Sequence, residues 1–154
     1  MTLRVGEKAP EFDVVSSSGK SLKLRDFAGK KNVVLYFYPG DFTPICTKET
    51  CGFRDMMGEL ESADTEVIGV SVDSNESHEK FAAEYKVPFA LVSDADRKLA
   101  KSYGATSLLG NLLGKSGRAT FLIDKNGMIA GVFQAELSAA KHVDGIKAAI
   151  KKLT

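Results

Sequence analysis

The sequence predicts an α/β fold: a mixed central sheet flanked by helices, with a β-hairpin extension at the N-terminal edge. Three observations lead there. The segments "NVVLYFYPG" and "TEVIGVSVD" are apolar at successive residues, as strands covered on both faces are. Stretches of helical spacing lie between such runs, and the chain closes on the amphipathic segment "AAKHVDGIKAAIKKLT". Finally, 154 residues with 44% hydrophobic content suffice for one domain, 1–154, around a proper core.

Each element has its own local reason. "FDVVSSSGKSLKL" reads as two short strands around a Ser/Gly turn. "NVVLYFYPG" ends in Pro-Gly, as a strand leaving the sheet would, and a helix is expected from Pro44, with Ile45, Phe53, Met56, Met57 and Leu60 roughly on one side. After "TEVIGVSVD", the segment "SNESHEKFAAEYKV" places Phe81, Tyr85 and Val87 at helical spacing, and Pro88 ends it before the strand "FALVSD". Ser93 with Asp96 forms a capping-box pattern for a short helix that Gly104 can terminate. "ATSLLGNLLGKSG" has no clean period and reads as a loop or a poorly formed turn of helix, its leucines, Leu108 to Leu113, either packing on their own domain or forming a partner or substrate surface. "RATFLID", "KNG" and "MIAGVF" read as a hairpin through an Asn-Gly turn. Val143, Ile146, Ile150 and Leu153 line one face of the closing helix. The order ββ, βαβαβ, ββα resembles the thioredoxin layout.

Charge and composition exclude several function classes. A net charge of +1 with acids and bases interspersed offers no footprint for nucleic acid or an anionic membrane. "MTLRVGEKAPEF" lacks the apolar stretch of a signal peptide, and "VVLYFY" is too short to span a bilayer. A cytoplasmic protein is expected, or a plastid one after loss of a transit peptide. Two cysteines and two distant histidines do not make a zinc site, so no metal is expected. His78 and His142 read as surface residues.

Chemistry concentrates in "FYPGDFTPICTKETCGF", which holds both cysteines of the chain. A strand turning into a helix here puts Thr43 at the N-cap, Pro44 at the first helical position and Cys46 in the first turn. Unpaired backbone N–H groups and the positive helix end favour a thiolate there, and the thiolate is the nucleophile. Cys51 lies beyond the reach of that effect and suits a second, resolving thiol. Five residues along a helix advance about 7.5 Å and separate the Cα atoms by roughly 8.6 Å, whereas a disulfide needs about 4.4 to 6.8 Å. The two sulfurs can therefore bond only if a turn unwinds. Gly52 weakens that turn by about 1 kcal/mol relative to alanine.

Pro39, Thr43 and Cys46 stand in a Pro-x-x-x-Thr-x-x-Cys pattern that resembles the peroxiredoxins, and "CTKETCGFRD" is similar to their peroxiredoxin Q, or bacterioferritin comigratory protein, group. The likeness continues through "GEKAPEF", "VIGVSVDS", "VPFALVSD", "GRATFLID" and "KHVDGI". Ile45 stands where glycine is frequent in that group, and Gly52 where alanine is. The resemblance implies a thioredoxin-type fold and a thiol peroxidase that acts on hydrogen peroxide or organic hydroperoxides without a bound cofactor. It makes Cys46 peroxidatic and Cys51 resolving, with an intramolecular disulfide re-reduced by thioredoxin or a similar dithiol. Arg118 takes the place of the arginine that sits against the peroxidatic sulfur. Thr43 would bond the sulfur or the peroxide, Pro39 would shape and shield the loop, and Glu49 would orient an arginine such as Arg118. Resolution within one chain makes a monomer the expectation. Two other readings stay open: a disulfide-gated redox sensor or binding module, and a general dithiol oxidoreductase, the latter weakened by the lack of Cys-x-x-Cys.

Overall fold

A computed structural model describes residues 3–105, 117–134 and 138–153 of the protein. The two expected edge strands, β1 (Asp13–Val15) and β2 (Ser21–Lys23), pair antiparallel. The apolar run becomes β3 (Asn32–Phe37), buried at every position. It is followed by α1 (Pro44–Asp55), α2 (Met57–Ser62), β4 (Thr65–Ser71), α3 (Asn75–Tyr85), β5 (Ala90–Ser93) and α4 (Lys98–Tyr103). The chain closes with β6 (Ala119–Ile123), β7 (Ile129–Phe133) and α5 (Ala139–Leu153).

The main sheet runs in the order β5-β4-β3-β6-β7. β3 is central, parallel to β4 on one side and antiparallel to β6 on the other. Alternation along β3 feeds two cores, because successive side chains leave a strand on opposite faces. Val33, Leu35 and Phe37 join Leu22, Leu99, Tyr103 and Phe121 on one face. Val34, Tyr36 and Tyr38 join Phe53, Leu60, Phe81, Ile146 and Ile150 on the other. Each large side chain buried in this way stabilises the fold by about 1.5–3 kcal/mol. The second face therefore carries α1, α3 and α5 together, and that is where the cysteines lie.

Three local readings are refined. The single helix expected from Pro44 breaks at Met56, whose ψ of 15° turns the chain before α2 begins. The cap of α4 is Asp94: its two carboxylate oxygens accept from the N–H groups of Leu99 (3.0 Å) and Ala100 (2.9 Å), while Ser93 stays in β5. A carboxylate satisfies two orphan donors, one on each of its oxygens. Gly104 does close α4, with φ 67°. The β6–β7 turn is tightened by Asp124, which accepts from Asn126 and Met128, with Gly127 in the left-handed region at φ 77°. Leu108 to Leu113 lie outside the described residues. Among the described residues no helix is long and apolar enough to cross a membrane.

Candidate active site

β3 delivers the chain to a loop at residues 38–43, and α1 carries it away. Thr43 is the N-cap of α1 in backbone terms, extended at φ −78° and ψ 149°, and its carbonyl takes the N–H of Thr47 at 2.8 Å. Its hydroxyl does not cap the helix. It donates instead to the carbonyl of Gly40 at 3.0 Å and closes the loop on itself. Pro44 occupies the first helical turn, where its missing N–H costs nothing. Pro39 is half-buried within the same loop.

Cys46 sits in the first turn of α1 with no solvent exposure. Arg118, at the entry to β6, donates from Nη2 to its Sγ at 2.9 Å. The same guanidinium donates from Nη1 to Glu49 Oε1 at 3.0 Å. Glu49 lies one turn after Cys46 on α1, so sulfur and carboxylate face the sheet on one side of the helix. Neither Arg118 nor Glu49 is more than 4% exposed. A planar fork that reaches two acceptors at once is what arginine provides and lysine does not. Cys51 is half-buried further along α1, and both cysteines are free thiols. Cys46, Glu49 and Arg118 thus converge, while Thr43 stands at the start of the same helix with its hydroxyl on Gly40 and Cys51 shares that intact helix with Cys46.

The two histidines expected at the surface are both fully buried. His142, from α5, places Nδ1 2.8 Å from Thr120 Oγ1 and 3.3 Å from Glu49 Oε2. His78, from α3, places Nδ1 2.8 Å from Asp41 Oδ2 and Nε2 3.1 Å from the Val92 carbonyl. Asp41 also accepts from Tyr38 (2.7 Å) and Ser77 (2.9 Å), and its N–H donates to Asp73 at 2.8 Å. The loop that holds Thr43 is therefore pinned to β4 and α3 by a network no local pattern announces. Asp41, Asp73 and His78 are the one group among the described residues that could hold a metal ion, and these side chains already have partners: Asp41 Oδ2 bonds His78 and Ser77, and Asp73 Oδ2 bonds Ser71 and the Asp41 N–H. Burial is also the chief cause that pushes the Tyr36 and Tyr38 phenols well above their ordinary range, although Thr50, bonded to the Tyr36 hydroxyl at 2.9 Å, pulls Tyr36 the other way.

Gly52 has a second role. A Cβ built there would come within 2.7 Å of Val143 on α5, so the glycine lets the two helices close on each other.

Residues 5–132 match the family model described as the AhpC/TSA family. The chain is 44% identical over 140 residues to the chloroplastic peroxiredoxin Q of Sedum lineare, covering 90% of this chain and 73% of that one. It is 45% identical over 137 residues to the putative peroxiredoxin bcp of Coxiella burnetii, covering 86% and 89%. Among solved structures, the peroxidoxin BcpB of Mycobacterium tuberculosis superposes with a TM-score of 0.89 at 30% identity over 99% of both chains. The bacterioferritin comigratory protein of Xanthomonas campestris, solved in work on its alkyl peroxide reduction activity, gives 0.85 at 30% identity over 97% and 98%. A buried cysteine at a helix start under an arginine fork, on this fold and with these relatives, places the chain in the AhpC/TSA family as a peroxiredoxin of the peroxiredoxin Q and bacterioferritin comigratory protein group, a peroxidase.

Proposed function

We propose that the chain reduces hydrogen peroxide and organic hydroperoxides through a sulfenic acid on Cys46 that Cys51 resolves as an intramolecular disulfide. The observation that carries this reading is the 2.9 Å contact between Arg118 Nη2 and the Sγ of a solvent-excluded cysteine in a first helical turn. The guanidinium and the helix terminus both stabilise negative charge at the sulfur. The thiolate attacks one peroxide oxygen and the O–O bond breaks. The other oxygen leaves with a proton as water or alcohol, and the same donors stabilise its developing charge. Thr43, whose own proton is engaged by Gly40, keeps its lone pairs for the peroxide's O–H. Pro39 shapes and shields the loop, and Glu49 aims the guanidinium.

Cys46 then carries an –SOH group. Opening of α1 brings the Cys51 thiol to that sulfur, an S–S bond forms and water leaves. A dithiol such as thioredoxin restores both thiols by exchange. The chemistry is complete within one chain, which supports a monomer. The bacterial and chloroplastic relatives support a place in a bacterial cytoplasm or a plastid.

Reduced protein mixed with one equivalent of hydrogen peroxide tests the reading by thiol loss and intact mass over time. The expected result is rapid conversion to an intramolecular disulfide, with the Cys51→Ser variant stopping at one added oxygen on Cys46. Oxidation no faster than that of free cysteine, or oxidation without turnover in the presence of thioredoxin and its reductase, would return a redox sensor to the front.

A further inference from the structure

Glu49 is held from two sides. Arg118 takes Oε1, while Oε2 faces Thr120 Oγ1 at 3.4 Å and His142 Nδ1 at 3.3 Å. Thr120 and His142 are themselves 2.8 Å apart. Glu49 as a carboxylate only accepts, and one proton on Thr120 serves one acceptor. The arrangement that satisfies every group has Nδ1–H of His142 donating to Thr120 and the Thr120 hydroxyl donating to Glu49, which assigns the Nδ1–H tautomer by its network.

The partners of Glu49 sit on parts of the fold that disulfide formation leaves in place: Arg118 and Thr120 at β6, His142 on α5. Glu49 itself rides on α1, the helix that must open. Opening therefore withdraws a buried carboxylate from all three. Oxidation of Cys46 removes negative charge from the sulfur and weakens its own bond to Arg118, yet it leaves the Glu49 contacts intact. The grip on Glu49 is thus a polar hold on α1 that survives once the sulfenic acid has formed, beside the buried Phe53 and the Tyr36–Thr50 bond. Val143, the next residue on α5, adds to it by packing against Gly52.

We propose that His142 is a positioning residue of this peroxidase: by donating to Thr120, whose hydroxyl in turn holds Glu49, it slows the opening of α1 and so sets the competition between disulfide formation and overoxidation of Cys46. In that competition the sulfenic acid either loses water to Cys51 or meets a second peroxide, whose O–O bond breaks to give the sulfinic acid and water or alcohol. This rests on the Cys46–Cys51 cycle proposed above.

The test separates the two chemical steps in His142→Leu, which removes the donor, and His142→Asn, whose side-chain amide returns one near the Nδ1 position. Quenched-flow alkylation with mass spectrometry follows first thiol loss and then disulfide formation after hydrogen peroxide is added. Loss of one buried hydrogen bond predicts that His142→Leu forms the disulfide at least about threefold faster, with first thiol loss changed by less than about twofold. The sulfinic fraction at high peroxide falls accordingly, and His142→Asn stays near wild type. Thr120→Val, a replacement of matching shape in a strand, breaks the same link and must accelerate the disulfide step in the same direction; it carries the test alone if His142→Leu does not fold. Disulfide formation unchanged or slower in the leucine variant, or equal acceleration in leucine and asparagine, overturns the proposal. A wild-type protein that never forms the Cys46 sulfenic acid would instead overturn the underlying peroxidase cycle, a result visible before any variant is compared.

Discussion

Glu49 and Arg118, 69 residues apart in sequence, meet at 3.0 Å with neither exposed beyond 4%, and the guanidinium uses its remaining arm on Cys46. Removing one partner of a buried pair strands the other charge, at about 3–5 kcal/mol. Arg118→Ala is expected to lower the second-order rate with hydrogen peroxide by at least about 100-fold, the loss typical of one donor to a developing anion. Arg118→Lys keeps the charge but reaches only one of the two partners, so it recovers a minor part of that rate. Stopped-flow peroxide consumption by the two variants checks both statements; equal activity of Lys and Arg would refute the fork.

Thr43 tests the loop. Thr43→Ser keeps the hydroxyl that donates to Gly40 and is expected to retain most of the activity, whereas Thr43→Val loses both that bond and the acceptor offered to peroxide. A loss of about 100-fold in the peroxide rate is expected for valine, at the lower end of the span of a positioned proton-handling group. Equal rates for the two variants would show that the hydroxyl takes no part.

At Gly52 two effects oppose each other. Alanine would raise helix propensity by about 1 kcal/mol, but its Cβ would stand 2.7 Å from Val143, and overpacking costs about 1–3 kcal/mol. Gly52→Ala should therefore destabilise the protein by about 1 kcal/mol, and Val143→Ala in the same chain should restore the loss, a coupled pair rather than an additive one. Urea unfolding of the single and double variants decides it. Simple stabilisation by Gly52→Ala would mean that the helices part easily.

The buried phenols give an alkaline limit. Burial, the largest cause, raises Tyr36 and Tyr38 above the ordinary value of about 10. The folded state keeps them neutral where the unfolded chain would ionise them. Their stabilising contribution is complete below pH about 10 and declines as pH rises from there toward the folded-state values, by up to about 1.4 kcal/mol per pH unit for each tyrosine. Relative to wild type, Tyr38→Phe should therefore fare better at pH 11 than at pH 9 in urea unfolding. An unchanged difference would place the pH dependence elsewhere.

What the sequence made legible was local. Cys46, Thr43 and Pro44 could be placed because a strand exit and a helix start announce themselves within a few residues, and the hairpins and the closing helix follow from turn and periodicity signals. The histidines could not be read in the same way. His142 and His78 lie in polar surroundings along the chain, and their burial depends on Glu49 and Asp41, partners that only tertiary packing supplies. The cap of α4 shows the same limit on a smaller scale, since Asp94 reaches five and six residues ahead and not three. Gly52 reads as a weak point along the helix, yet the approach of Val143 makes it a contact surface.

The break at Met56 bears on how far a melting event can spread. Because α1 and α2 are separate hydrogen-bonded segments, with Leu60 of α2 anchored in the core, unwinding of the cysteine helix has a built-in stop. In the proposed cycle the opening unit would be a foldon bounded by Thr43 and Met56, with β6, which Arg118 directly precedes, remaining as a template. In the cycle proposed above, a chain returning from the disulfide state would refold against a pocket whose cation is already in place, so closing that cycle would be a short local search and not a second folding of the protein.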